Sequence, residues 1–110
     1  MTDFKPVTFL GDSKVRLRAF PDGARQDAGQ ELLRVQFGGE PLDWKPMPGI
    51  GKGVREIRVS DRPGEFRVVY VANIGIVVYV LHAFHKKSQK TLQRDIELAK
   101  VRLALILKES

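Results

Sequence analysis

Apolar residues recur along this chain with two different periods. Between Val54 and Phe84 they alternate or run in short blocks, as strands require. Before Gly38 and after Gln89 they return every third or fourth residue, as helices require. The alternation predicts strands over Val54 to Val59, Glu65 to Val71 and Ile76 to Phe84. Asp61-Arg62-Pro63-Gly64 and Ala72-Asn73-Ile74-Gly75 separate them as turns, and connections that short join antiparallel neighbours. Pro6 to Leu10 reads as one more short strand.

Gly11-Asp12-Ser13 offers caps for a helix from Ser13 that Pro21 stops near Phe20. Pro21 then suits the first turn of a second helix. Ala24, Ala28, Leu32 and Val35 fall on one face of it, and Gly38-Gly39 ends it. Residues 40–53 are rich in Pro and Gly and read as a loop anchored by Trp44. A last helix is expected over Gln89 to Leu107, with Ser88 or Thr91 as cap. Leu92, Ile96, Ala99, Leu103 and Ile106 form one apolar stripe on it, suited to the sheet. Leu98, Val101 and Leu105 form a second stripe on roughly the opposite side. Either a partner covers that second stripe, or the helix is sandwiched between the sheet and the N-terminal helices. The order β-α-α-β-β-β-α describes one α+β domain over residues 1–110, with an antiparallel sheet, two N-terminal helices and one C-terminal helix.

A chain of 110 residues supports a single modest core. It has no cysteine, which excludes disulfides and cysteine zinc sites and fits a reducing compartment. Met1-Thr2-Asp3-Phe4-Lys5 lacks the layout of a signal peptide, and no apolar run reaches the roughly 18 residues of a membrane span. A cytoplasmic protein is expected. Charge changes the picture more. Residues 45–94 hold ten Lys/Arg against three Asp/Glu, a balance of +7, while the remaining nine and ten balance to −1. A basic face fixed to a sheet suits a polyanion, RNA first among them.

Period-two geometry puts Glu56 and Arg58 on one face of the first meander strand, and Arg67 beside Val69 and Val71 on one face of the second. Arg58 and Arg67 are therefore expected on one surface. There they flank either a bound anion or a carboxylate, and a cross-strand pair with Glu56 is the plainer alternative. His82 to Lys90 carries three lysines and His85 into the start of a helix, where backbone N–H groups also favour phosphate; a solvated basic turn is the alternative. His82 is expected as a half-buried strand histidine. His85 sits where it can exchange protons near neutral pH. Gly49-Ile50-Gly51-Lys52-Gly53 precedes a strand and lacks the Lys-Ser/Thr ending of a nucleotide loop. The histidines lack metal-ligand spacing, so no metal or other cofactor is expected.

At Val54-Arg55-Glu56-Ile57-Arg58-Val59, Phe66-Arg67-Val68-Val69-Tyr70 and Val80-Leu81-His82-Ala83-Phe84-His85-Lys86-Lys87-Ser88-Gln89-Lys90-Thr91, the chain resembles the phage-derived branch of RelE/HigB-type toxins. Gly11-Asp12-Ser13 and Trp44-Lys45-Pro46-Met47 resemble it too, and the likeness runs from about residue 6 to 105. It implies the toxin of a type II toxin–antitoxin pair, which binds the ribosome, cuts messenger RNA and is neutralised by an antitoxin, often with a helix-turn-helix domain. Carried over residue by residue, it implies catalytic roles for Arg67, Arg58 and Lys87 or Lys86. His85 stands in for the C-terminal tyrosine or histidine of relatives, since no tyrosine follows Tyr79. Lys86, Lys90, Arg55, Lys52 and Arg94 are the further cations expected on RNA.

The reaction so implied is metal-independent attack of a 2′-OH on the adjacent phosphate. Arg67 would hold phosphate oxygens bidentately, and His85 or a lysine of lowered pKa would move protons. Arg67→Ala is expected to remove activity and spare the fold. A non-catalytic binding module, such as a gyrase-inhibiting relative or an inactive phage-derived remnant, is the competing reading.

Overall fold

The segments of period two pair with one another, and the helical segments cover the two faces they make. The computed structural model describes residues 4–61 and 64–109. The order is β1 (Val7–Phe9), α1 (Ser13–Arg18), α2 (Asp22–Gln36), β2 (Trp44–Pro46), β3 (Val54–Asp61), β4 (Gly64–Ile74), β5 (Val77–Lys86) and α3 (Gln93–Glu109). The strands form one sheet in the order β1-β5-β4-β3-β2, and with the helices they make an α+β fold. Of the first expected turn, Arg62 and Pro63 lie outside the described residues.

β3, β4 and β5 are the expected antiparallel meander. Two strands depart from the sequence reading. β1 runs parallel to β5, so the sheet is mixed and not wholly antiparallel. β2 adds a strand to β3 inside the stretch read as loop. Pro46 can close it because an edge strand needs no N–H on its outer side. The Arg55 guanidinium lies 3.9 Å from the centre of the Trp44 ring and holds β2 down.

Alternation along the strands separates two cores. Ile57, Val59, Phe66, Val68, Tyr70, Val78, Val80 and Ala83 pack against Leu17, Phe20, Ala24, Ala28, Leu32 and Val35 of the α1–α2 layer. Val54, Val69, Val71, Leu81 and Phe84 pack against Ala99, Leu103 and Ile106 of α3. The small face of α2 is buried as its spacing predicts, and Gly38, at φ +90°, lets the chain turn out of the helix. α3 therefore lies on the opposite face from α1 and α2. The sandwiched arrangement is overturned: Val101 and Leu105 are 59% and 52% exposed.

α3 starts at Gln93, four residues later than expected. Thr91 does not cap it; its hydroxyl donates to the Glu56 carboxylate at 3.1 Å. Ser88 donates to the Lys90 carbonyl. These bonds draw residues 87–92 across the end of the sheet as an irregular segment. The backbone N–H groups of Asp95 and Ile96 donate to the Leu92 carbonyl, which opens the helix.

Candidate nucleic-acid interface at one end of the sheet

A bulge in β5 decides which side chains meet. Tyr70 pairs with Val80 and Val69 with His82, so Leu81 is an extra residue on the β5 side. A strict count of two from Val80 would put His85 on the side of Arg67. The extra residue reverses that. His82, Phe84 and Lys86 point to the α3 face, and Ala83 and His85 to the α1–α2 face. His85 stacks on Phe66 with ring centres 4.6 Å apart and planes 20° apart. It does not join Arg67 and Arg58, so the structure does not group it with the other residues to which the resemblance gives catalytic roles.

Arg58 and Arg67 are direct cross-strand partners, as the alternation predicts. Their guanidiniums diverge. Arg58 turns outward, with Nη1 3.8 Å from Asp43 Oδ1. Arg67 turns inward and is 3% exposed. Its Nη1 donates to the Phe66 carbonyl at 2.9 Å. Its Nε lies 3.5 Å from Glu56 Oε1, and Nη2 lies 3.8 Å from Glu65 Oε1. The plainer sequence alternative, a cross-strand pair with Glu56, is the geometry found. Glu56 is fully buried, and a carboxylate so placed needs a counter-charge. Arg67 is thus held inward by one hydrogen bond and two ion pairs and is almost closed off from solvent, which does not suit bidentate capture of a phosphate, another correction to the sequence reading. It forms the floor of a cavity of about 430 Å³ lined also by Glu65, Lys86, Lys87, Ser88 and Gln89.

Lys86 is the cation set apart here. Partial burial, then the charge of Arg67, hold its ammonium below the ordinary lysine pKa; Lys45 and Arg58 push the same way, and Glu56 opposes them. Lys86 and Lys87 form a ridge between that cavity and a larger groove of about 570 Å³. His85, Lys90 and Arg94 border the larger groove, with Arg16, Phe84 and Leu98. Arg16 carried no sequence signal, because α1 reaches this groove only through tertiary packing.

Two expected cations lie elsewhere. Arg55 projects to the α1–α2 face, over Trp44 and 3.4 Å from Glu40. Lys52 is in the turn before β3, beside Gly53, whose backbone approaches Asn73 at the far end of the sheet. His82 is fully buried, not half-buried, and Nε2 lies 2.8 Å from Asp95 Oδ1. Desolvation holds its pKa below the ordinary histidine value, although Asp95 opposes this. Among the described residues no group of three or more acidic or histidine side chains is set to hold a metal ion, and no helix is long and apolar enough to cross a membrane.

The arrangement defines a small α+β protein with cations concentrated at one end of its sheet. A family model described as phage derived protein Gp49-like (DUF891) matches residues 16–104, and the chain belongs to that family. No curated protein matches it.

Proposed function

We propose that this protein is the toxin of a type II toxin–antitoxin pair and that it acts on messenger RNA at the ribosome. Support comes from its place in the phage-derived Gp49-like family and from its likeness to RelE/HigB-type toxins. The observation that carries the RNA reading is the Lys86–Lys87 ridge, flanked by one cavity over Arg67 and one groove bordered by His85, Lys90 and Arg94. A chain of phosphates can lie along it and release counterions from both sides.

The reaction is transfer of a phosphoryl group within the RNA. The 2′-oxygen bonds to the adjacent phosphorus, the bond to the 5′-oxygen breaks, and a 2′,3′-cyclic phosphate and a 5′-hydroxyl result. Lys86, whose pKa is lowered, takes the 2′ proton in its neutral form. The Lys87 ammonium stabilises the crowded phosphorane and returns a proton to the leaving oxygen. Arg67 acts from beneath, as a fixed cation that favours neutral Lys86.

A second reading, a binding module without catalysis, is favoured by one observation: Arg67 is committed to Glu56, Glu65 and the Phe66 carbonyl. Induction in cells followed by mapping of RNA 5′ ends separates the two. Codon-spaced cuts that vanish in Lys86→Ala support the nuclease. Growth arrest with DNA damage signalling and no cuts supports the module. A neighbouring open reading frame for a small helix-turn-helix protein would support the antitoxin pairing.

A further inference from the structure

Beside the lysine ridge, on the α1–α2 face, lies a drier cavity of about 350 Å³. Ala19, Phe20, Pro21, Phe66, Ala83 and Phe84 give it apolar walls, and Arg16 and His85 are the polar side chains at its border. Its aromatic wall is continuous. Phe20 and Phe66 have ring centres 4.8 Å apart, and Phe66 and His85 follow at 4.6 Å. Gly64 makes room for this: a Cβ there would lie 2.5 Å from His85 Nε2 and would push the imidazole off Phe66. Arg16, Phe84 and His85 border both this cavity and the basic groove, so the two are neighbours that share one wall.

We propose that this cavity receives one unstacked nucleobase of a single-stranded RNA whose phosphates follow the Lys86–Lys87 ridge; the proposal rests on the RNA reading above. A base offers a flat π-face and an apolar body attached to an anionic chain. The site offers aromatic rings and an apolar slot attached to a cationic groove. Base stacking on such rings tolerates any sequence, because every base has a π-face. A duplex cannot use the slot, since its bases are stacked and paired. The volume falls at the low end of ligand cavities, roughly 300–1,000 Å³, and suits a single base. His85, on this reading, is a stacking surface and not the acid or base that the sequence resemblance implies.

The test measures binding of a fluorescent single-stranded RNA hexamer, against duplex RNA and inorganic polyphosphate as competitors. Wild type should bind the single strand more tightly than the duplex. His85→Ala should weaken single-strand binding by about tenfold and leave polyphosphate competition unchanged. His85→Phe should restore most of the loss, because it keeps an aromatic ring at that position. Ala19→Trp, which fills the cavity from an exposed position, should weaken the single strand as His85→Ala does, with melting temperature retained. Equal loss for RNA and polyphosphate in His85→Ala, or no rescue by His85→Phe, would overturn the base pocket and leave the ridge as the RNA site. A wild-type protein that binds none of these polyanions at low salt would overturn the RNA reading itself.

Discussion

Glu56 and Arg67 form an ion pair beneath the α3 face of the sheet, Oε1 to Nε 3.5 Å, with side chains 0% and 4% exposed. The pair changes what an arginine substitution reports. Arg67→Ala leaves a buried carboxylate without its nearest counter-charge, held by the Thr91 hydroxyl, and losing one partner of a buried pair costs about 3–5 kcal/mol. Arg67→Ala should therefore melt well below wild type, not keep its fold as the sequence alone suggests. The double variant Glu56→Leu/Arg67→Met should recover most of that stability, since it removes both charges together. Chemical denaturation of the three proteins checks this. An Arg67→Ala protein as stable as wild type would show that the pair contributes little.

Lys86 separates binding from proton transfer. If it acts as a base, RNA cleavage should rise with pH through a midpoint below the ordinary lysine value, because only the neutral amine accepts a proton. Lys86→Arg keeps a cation on the ridge but cannot deprotonate. It should bind RNA nearly as well as wild type, lose cleavage and show no such rise. Cleavage by Lys86→Arg at the wild-type rate would remove Lys86 from the chemistry.

The elements legible in the sequence are those fixed by neighbours a few residues away. Ala24, Ala28, Leu32 and Val35 announce a helix face, and Ile57, Val59, Phe66, Val68 and Tyr70 announce one side of a meander. β1 gives no such sign of its partner, because Val7 pairs with Val78 across most of the chain. β2 is three residues long and held by an arginine stacked on tryptophan. The site was half legible for a related reason. Alternation correctly set Arg58 opposite Arg67, but one bulge at Leu81 exchanged the sides of His85 and Lys86. Bulges leave no mark in a period-two pattern, and a guanidinium's choice between solvent and a buried carboxylate depends on where Thr91 and Glu56 come together.

His82 and Asp95 make stability depend on pH. With its pKa below the ordinary value, His82 is neutral in the fold near pH 7, so Nε2–H donates to Asp95. Nδ1 then carries no proton, which suits its burial without a partner among the described residues. On acidification the unfolded chain takes up a proton near pH 6.5, whereas the folded chain resists until lower pH. Stability should fall as pH drops through that interval. Melting temperatures at pH 7.5 and 5.5 should differ, and the difference should shrink in His82→Gln. Asp12 acts in a separate window. Arg16, then Arg102, lower its pKa from 3.8 to about 2, so its contribution is present above about pH 4 and is lost only as pH falls toward 2. A wild-type melting temperature unchanged between pH 7.5 and 5.5 would contradict the His82 assignment.

Val101 and Leu105 stand on the outer side of α3, away from the sheet that buries Ala99, Leu103 and Ile106, and Leu98 continues their line toward the basic groove. Replacing exposed side chains that make no core contact changes stability by about 0.5 kcal/mol or less. Val101→Glu/Leu105→Glu should therefore melt like wild type. If this stripe is where an antitoxin binds, the double variant should still arrest growth but escape neutralisation when the antitoxin is co-expressed, because two carboxylates would be buried without partners in the complex. Leu98→Glu, closer to the lysines, should weaken neutralisation while partly offsetting the local positive charge, so it should also reduce RNA binding. Neutralisation of Val101→Glu/Leu105→Glu at wild-type antitoxin levels would place the antitoxin on another surface.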